Sequence, residues 1–174
     1  SLTDQPGTEK RPPVLTRRRA KSQEFFATAA GGWDHLRGEL FGDEFFLWAV
    51  LGLIDPTLVI GDLGCGTGQL TETVAPYVRR VISVDGSTDM LDAARHRLDG
   101  AKNVELRQGE LESLPSDSGE LDVAMLSLVL HYSPSPARAL SEVGRVVGKG
   151  GRVLVVDMLP HDREEYQQQM GHVW

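Results

Sequence analysis

Val59-Ile60-Gly61-Asp62-Leu63-Gly64-Cys65-Gly66-Thr67-Gly68 is the stretch on which the reading of this chain turns. An apolar run ends in an acid and passes into three glycines at alternate positions, and residues 69–78 then carry a helical pattern. That order predicts a strand, a tight turn and a helix start. Glycine admits positive φ and lets a ligand approach the backbone closely. The helix start adds unpaired N–H groups aimed at the same place, so a small ligand is expected there.

The surrounding composition permits an ordinary globular domain, with 174 residues of which 40% are hydrophobic and 25% charged. The longest apolar run, residues 45–54, is well short of the roughly 18 residues that suggest a membrane span. No hydrophobic signal region opens the chain. With Cys65 as the single cysteine, an intrachain disulfide is excluded, and the cytoplasm is the expected compartment. The first residue is Ser1, so the sequence reads as a piece of a longer protein. Residues 1–21 hold six basic side chains against Asp4 and Glu9, a local charge of +4 that leaves −11 of the total −7 to the remainder. A body of that sign repels phosphate backbones, and no direct nucleic-acid contact is expected of it.

Three segments follow from the pattern. Residues 1–21, with Pro6, Gly7, Pro12 and Pro13, read as a flexible basic arm or linker, its run Arg17-Arg18-Arg19-Ala20-Lys21 being a solvated helix start or a nucleic-acid contact. Residues 22–56 read as a helical cap: Phe25, Phe26, Ala29, Ala30, Trp33, Leu36 and Leu40 recur at helical spacing around Gly31-Gly32, and a further apolar helix covers 45–53. Residues 57–174 alternate strand signals at 58–62, 80–85, 104–108, 123–129 and 152–159 with helical patterns at 69–78, 87–98 and 135–147. That alternation predicts a parallel sheet with helices on both faces. A last helix is expected over 161–174, with Tyr166, Met170 and Val173 on one side.

Three of these strands end in aspartate, at Asp62, Asp85 and Asp157. Ligands of open parallel sheets bind at the carboxyl ends of the strands, so these acids share a rim. Asp122 begins a strand instead and reads as a turn residue. Asp85 lies 17 residues beyond Gly68, the separation that sets an acid at the tip of the neighbouring strand, where a carboxylate accepts hydrogen bonds from both ribose hydroxyls; a helix-capping aspartate before Gly86-Ser87 is the plainer alternative. The glycines run G-x-G-x-G, not G-x-G-x-x-G, and no triphosphate-binding loop is present. Asp62 suits an ammonium group better than a pyrophosphate. A cationic, phosphate-free nucleoside fits better than NAD or ATP.

These residues resemble the class I S-adenosylmethionine (SAM)-dependent methyltransferases of the UbiE-like, type 11 group. The likeness runs through residues 59–68, 81–90, 109–115, 122–133 and 146–157. It implies a Rossmann-like α/β fold, an open parallel sheet of order 3-2-1-4-5 with helices on both faces, here lacking the last two strands of the class. It further implies that SAM is the cofactor and S-adenosylhomocysteine the product. Asp62 with Gly64, Cys65, Gly66, Thr67 and Gly68 would hold the methionine part, Asp85 with Gly86 and Ser87 the ribose, and Met90 would pack on the adenine. Glu110 and Leu111 stand where the family has Asp-Ala, and Ser127 closes the set. Residues 22–34 and 161–166 are similar to the methyltransferase half of proteins fused behind an ArsR-type DNA-binding domain, which would make the arm an interdomain linker.

Methyl transfer from a sulfonium is an in-line displacement that chiefly needs alignment and exclusion of water. Few side chains need be catalytic. His131 is the candidate base or acceptor contact, weighed against a packed or capping histidine. A metal on His161, Glu165 and His172 lacks a fourth ligand, so none is expected, and Cys65 reads as a small residue in a crowded turn. The expected function is methyl transfer to a small-molecule acceptor without membrane involvement. The alternative is a SAM-sensing regulatory domain without turnover, with a nicotinamide oxidoreductase as a third class. Monomer and homodimer both stay open.

Overall fold

The computed structural model describes residues 14–29, 32–42 and 44–158. The chain divides into two compact units, Ser1–Val50 and Leu51–Trp174. The expected last helix, its histidines and the end of the fifth predicted strand at Leu159 lie outside the described residues, as do the side chains of Phe26 and Trp33.

The first unit is helical: α1 spans Val14–Ala29, α2 Trp33–Phe41 and α3 Phe45–Leu51. The basic run 17–21, read from sequence as a solvated helix start or a nucleic-acid contact, lies inside α1. Arg, Lys, Leu and Ala are strong helix formers and outweigh the linker-like composition before them. Gly42 ends α2 with φ +83°, its N–H donating to the Gly38 carbonyl at 2.8 Å. The Arg37 guanidinium lies 4.2 Å from the centre of the Phe46 ring, tying α2 to α3.

The second unit is the α/β body. Its strands are β1 Val59–Leu63, β2 Arg80–Asp85, β3 Val104–Gln108, β4 Leu121–Ser127 and β5 Val147–Val156. They pair in parallel throughout, in the order β3-β2-β1-β4-β5. Helices α4 Gln69–Val74, α5 Thr88–Arg97 and α6 Pro136–Val146 join them. The predicted helix 69–78 stops short because Pro76 has no N–H for the Glu72 carbonyl, and the chain tightens into a 3₁₀ turn, Ala75–Tyr77.

Alternate side chains of β1 and β2 point to opposite faces. Val59, Leu63, Ile82 and Val84 pack with Ala139, Val143 and Val146 of α6, whereas Ile60 and Val81 pack with Val74 and Val78 on the α4 side. Asp122, read as a turn residue, is the second residue of β4, and its carboxylate accepts the Val59 N–H at 2.8 Å. It seats the start of the strand that feeds the glycine loop. Residues 148–151 are absorbed into β5 as a bulge, with Leu121 opposite Val147 and Val123 opposite Arg152. Among the described residues β5 forms the sheet edge, and Val153 to Val156 are about half exposed. Among the described residues no helix is long and apolar enough to cross a membrane.

Sheet order reverses between β1 and β4: β1 continues toward β2 on one side, and β4 returns on the other. That crevice is where an open parallel sheet holds its ligand.

Candidate functional site

At the end of β1 the chain bends toward β2, because the Gly64 and Cys65 N–H groups both donate to the Val84 carbonyl, at 2.7 and 3.0 Å. Gly64, Gly66 and Gly68 all have left-handed φ, at +80°, +52° and +79°. Gly66 cannot be replaced without strain, yet a Cβ built on it meets nothing within 4 Å. The space over the loop is open.

Asp85 ties the loop to its own strand end. One carboxylate oxygen accepts the Gly66 N–H at 2.8 Å and the other accepts the Ser87 N–H at 2.9 Å. Ser87 in turn caps α5, its hydroxyl accepting the Met90 N–H at 3.3 Å. A carboxylate offers about four lone-pair sites, so each oxygen keeps one for a ligand hydroxyl.

Asp62 is only 2% exposed. It accepts the Thr71 hydroxyl of α4 at 2.6 Å, and that hydroxyl lies 2.7 Å from Ser83 Oγ on β2. Burial is the main cause that pushes the Asp62 pKa up, with the Asp85 charge adding to it and the Thr71 hydrogen bonds opposing it. A cation beside Asp62 would relieve that cost. Burial, followed by the Asp62 and Asp85 charges, pushes the Cys65 thiol up to about 12. The thiol is therefore protonated at neutral pH and is no nucleophile.

The sign of the Asp62 shift gives a testable pH dependence. Because the folded value lies above the unfolded one, ionising Asp62 costs the fold stability as pH rises from the ordinary carboxylate range up through the raised value. Asp62→Asn, whose side-chain oxygen still accepts from Thr71, is expected to raise the Tm of the ligand-free chain at neutral pH. The gain should vanish as pH falls back into the carboxylate range. A Tm difference that does not change with pH would refute this account.

Two connected spaces open on this rim. The larger, about 800 Å³, is lined by Asp62, Gly64, Cys65, Gly66, Thr67, Asp85, Ser87, Met90 and Ser127, and also by Gln69, Leu70, Thr73, Leu128, Val129 and Tyr132. The smaller, about 120 Å³, shares Gly64, Asp85, Val129 and Tyr132 and adds Gly86, Glu110, Leu111 and Glu112. The Glu110 carboxylate closes over Gly86, where a built Cβ would sit 3.0 Å from its Oε1. Glu112 accepts from the Ser133 hydroxyl and holds the loop after β3 to the segment after β4.

Thus twelve of the residues singled out from sequence share one rim: Asp62, Gly64, Cys65, Gly66, Thr67, Asp85, Gly86, Ser87, Met90, Glu110, Leu111 and Ser127. Gly68 stands behind the rim as the N-cap of α4, where a Cβ would meet Leu98 and Ala94. His131 lines neither space. It is 5% exposed, and its Nδ1 lies 2.6 Å from Asp157. Asp157 faces this histidine instead of the cavity. The wall position falls to the next residue, Tyr132, whose ring lies 4.1 Å from that of His131. Leu128, Val129 and Tyr132 lie in the stretch 122–133 that carries the family likeness, but their residue types announce no ligand contact. Only their place beyond the end of β4, next to β1, could have singled them out.

The profile of a family described as a methyltransferase domain matches residues 61–155. The chain belongs to this methyltransferase family. The chain is similar to the demethylmenaquinone methyltransferase of Lactococcus lactis, 33% identical over 145 residues, which cover 78% of this chain and 57% of the relative. The Bacillus subtilis protein YcgJ, an uncharacterized methyltransferase, is 34% identical over 98 residues, 55% of this chain and 39% of its own length. The YcgJ crystal structure superposes with a TM-score of 0.61, over 72% of this chain and 54% of that one. The methyltransferase CalH, solved in complex with SAH, superposes with a TM-score of 0.60 at 25% identity, over 69% of this chain and 37% of CalH. The chain therefore spans little more than half, or less, of the length of these methyltransferase relatives.

Proposed function

We propose that this chain is the cofactor-binding body of a SAM-dependent methyltransferase that transfers a methyl group to a small-molecule acceptor. The observation that carries this is the pair of acids, Asp62 and Asp85, on adjacent strand ends, facing one cavity with the glycine loop between them. The donor set fits the cofactor. A buried carboxylate with a raised pKa suits an ammonium, and a carboxylate with lone pairs to spare suits two ribose hydroxyls. The open room over Gly66 admits a ligand close to the backbone. Met90 and Leu111 offer apolar contact to an adenine, Glu110 is an acceptor for its amino group, and Ser127 adds a hydroxyl.

When bound, SAM supplies a methyl group on a sulfonium, whose departure as a thioether needs no proton. The chain's part is to align and to exclude water, with Asp62 and the 64–68 loop fixing one end and Asp85 the other. His131, held under the loop by Asp157, serves this reading as support for the acceptor side.

The finer parts of the reading have their own support. The likeness of residues 22–34 to ArsR-type fusions, with the basic helix α1, supports a DNA-binding domain elsewhere in the full protein. The acidic balance of the remainder supports no direct nucleic-acid contact by the body. A single cysteine supports the cytoplasm.

Calorimetric titration tests the cofactor assignment. S-adenosylhomocysteine is expected to bind saturably at one site and NAD not to compete; NAD binding in its place would overturn the reading. Accumulation of S-adenosylhomocysteine with an acceptor separates the enzyme from a SAM-sensing domain of the same geometry.

A further inference from the structure

We infer that Leu128 and Tyr132 form the acceptor-side wall of the cavity and select a planar aromatic acceptor without negative charge; this rests on the methyltransferase reading above. Among the described residues Leu128 is the one non-glycine with positive φ, at +54°. Left-handed backbone is strained for a branched side chain, and such strain persists where the surroundings enforce it, commonly at ligand sites. Glycine would relieve it. The leucine is not retained for the core, because its side chain is 52% exposed and lines the same cavity as Asp62 and the glycine loop.

Three hydrogen bonds enforce the conformation. The Leu128 N–H donates to the Val156 carbonyl at 2.7 Å, the Leu130 N–H donates to Asp157 Oδ2 at 2.8 Å, and His131 Nδ1 lies 2.6 Å from Asp157 Oδ1. The end of β5 thereby fixes the loop after β4. Tyr132, 42% exposed, follows on this clamped turn and lines both spaces. Leu128, Val129 and Tyr132 present apolar and aromatic surface, whereas the remaining charged side chains of the two spaces, Asp62, Asp85, Glu110 and Glu112, are all acidic. An anionic acceptor would be repelled. A flat ring without negative charge finds an aliphatic and an aromatic face.

The test uses the full chain saturated with S-adenosylhomocysteine, with 2-naphthol as the aromatic probe and glycine as a polar control, binding being read by ligand-observed NMR. Saturable 2-naphthol binding and no glycine binding are expected. Leu128→Gly should weaken 2-naphthol about tenfold, the loss of one well-packed apolar contact. Its 2-naphthol affinity should fall by more than its S-adenosylhomocysteine affinity, and its Tm should hold or rise. Tyr132→Leu should weaken 2-naphthol likewise and provides a second variant. The inference falls if 2-naphthol fails to bind the loaded wild type, if neither variant changes its affinity, or if Leu128→Gly lowers Tm, which would make the leucine a packing residue. If the wild type does not bind S-adenosylhomocysteine, both this inference and the cofactor reading fall.

Discussion

Asp85→Ala is expected to weaken SAM binding by about 1–3 kcal/mol, roughly five- to 150-fold in Kd. Two losses combine. Two ribose hydroxyls lose a charged acceptor, and the Gly66 and Ser87 N–H groups lose the oxygens they donate to at 2.8 and 2.9 Å. The second loss loosens the loop that carries the other contacts. Asp85→Asn separates them, since its single oxygen satisfies one N–H but its amide presents a donor to the other. The asparagine variant should therefore bind less well than wild type and better than alanine. Calorimetry on the three proteins decides the matter, and unchanged affinity in Asp85→Ala would remove the ribose assignment.

The sequence made the donor side of this site legible because its residues obey rules that need no tertiary knowledge. Alternating glycines after an apolar strand demand a left-handed turn, and Asp85 falls one βαβ step further on. All three glycines take positive φ, and Asp85 reaches back to the loop. The acceptor side obeys no such rule. Leu128 looks in sequence like the continuation of an apolar strand, and nothing local announces its φ of +54°. His131 drew attention because it follows the fourth strand at the rim, yet chain geometry turns it inward to Asp157 and leaves the cavity to Tyr132. The basic run 17–21 was legible as a helix start from its own helix-forming residues, and it lies inside a helix. Patterns of composition resolve strands and turns, but which of two adjacent side chains faces a ligand depends on partners 26 residues away, as Asp157 is from His131.

Gly64→Ala is expected to be the most damaging single-methyl change in the body, at about 2–5 kcal/mol of folding stability. Left-handed backbone at φ +80° costs an alanine roughly 1–2 kcal/mol. Overpacking adds roughly 1–3 kcal/mol, because the new Cβ would lie 2.2 Å from Val129 Cγ2 and 2.8 Å from Val129 Cβ. For a chain of this size, that lowers Tm by roughly 4–20 °C. The two contributions can be separated. Val129→Ala removes the atom at 2.2 Å and leaves the one at 2.8 Å, so the double variant Gly64→Ala/Val129→Ala should recover part of the overlap and none of the backbone strain. A coupling energy of the recovering sign, measured by a denaturant double-mutant cycle, is the expected result. The substitution also reaches the ligand. Val129 belongs to the loop that carries Leu128 and Tyr132, and a wedge between it and Gly64 forces the donor and acceptor loops apart. SAM affinity should fall along with stability, and Val129→Ala should restore affinity more fully than it restores Tm, since the wedge, not the φ strain, separates the loops. A Gly64→Ala chain within about 0.5 kcal/mol of wild type, the ordinary range for a neutral surface change, would show that the two loops are not packed as described.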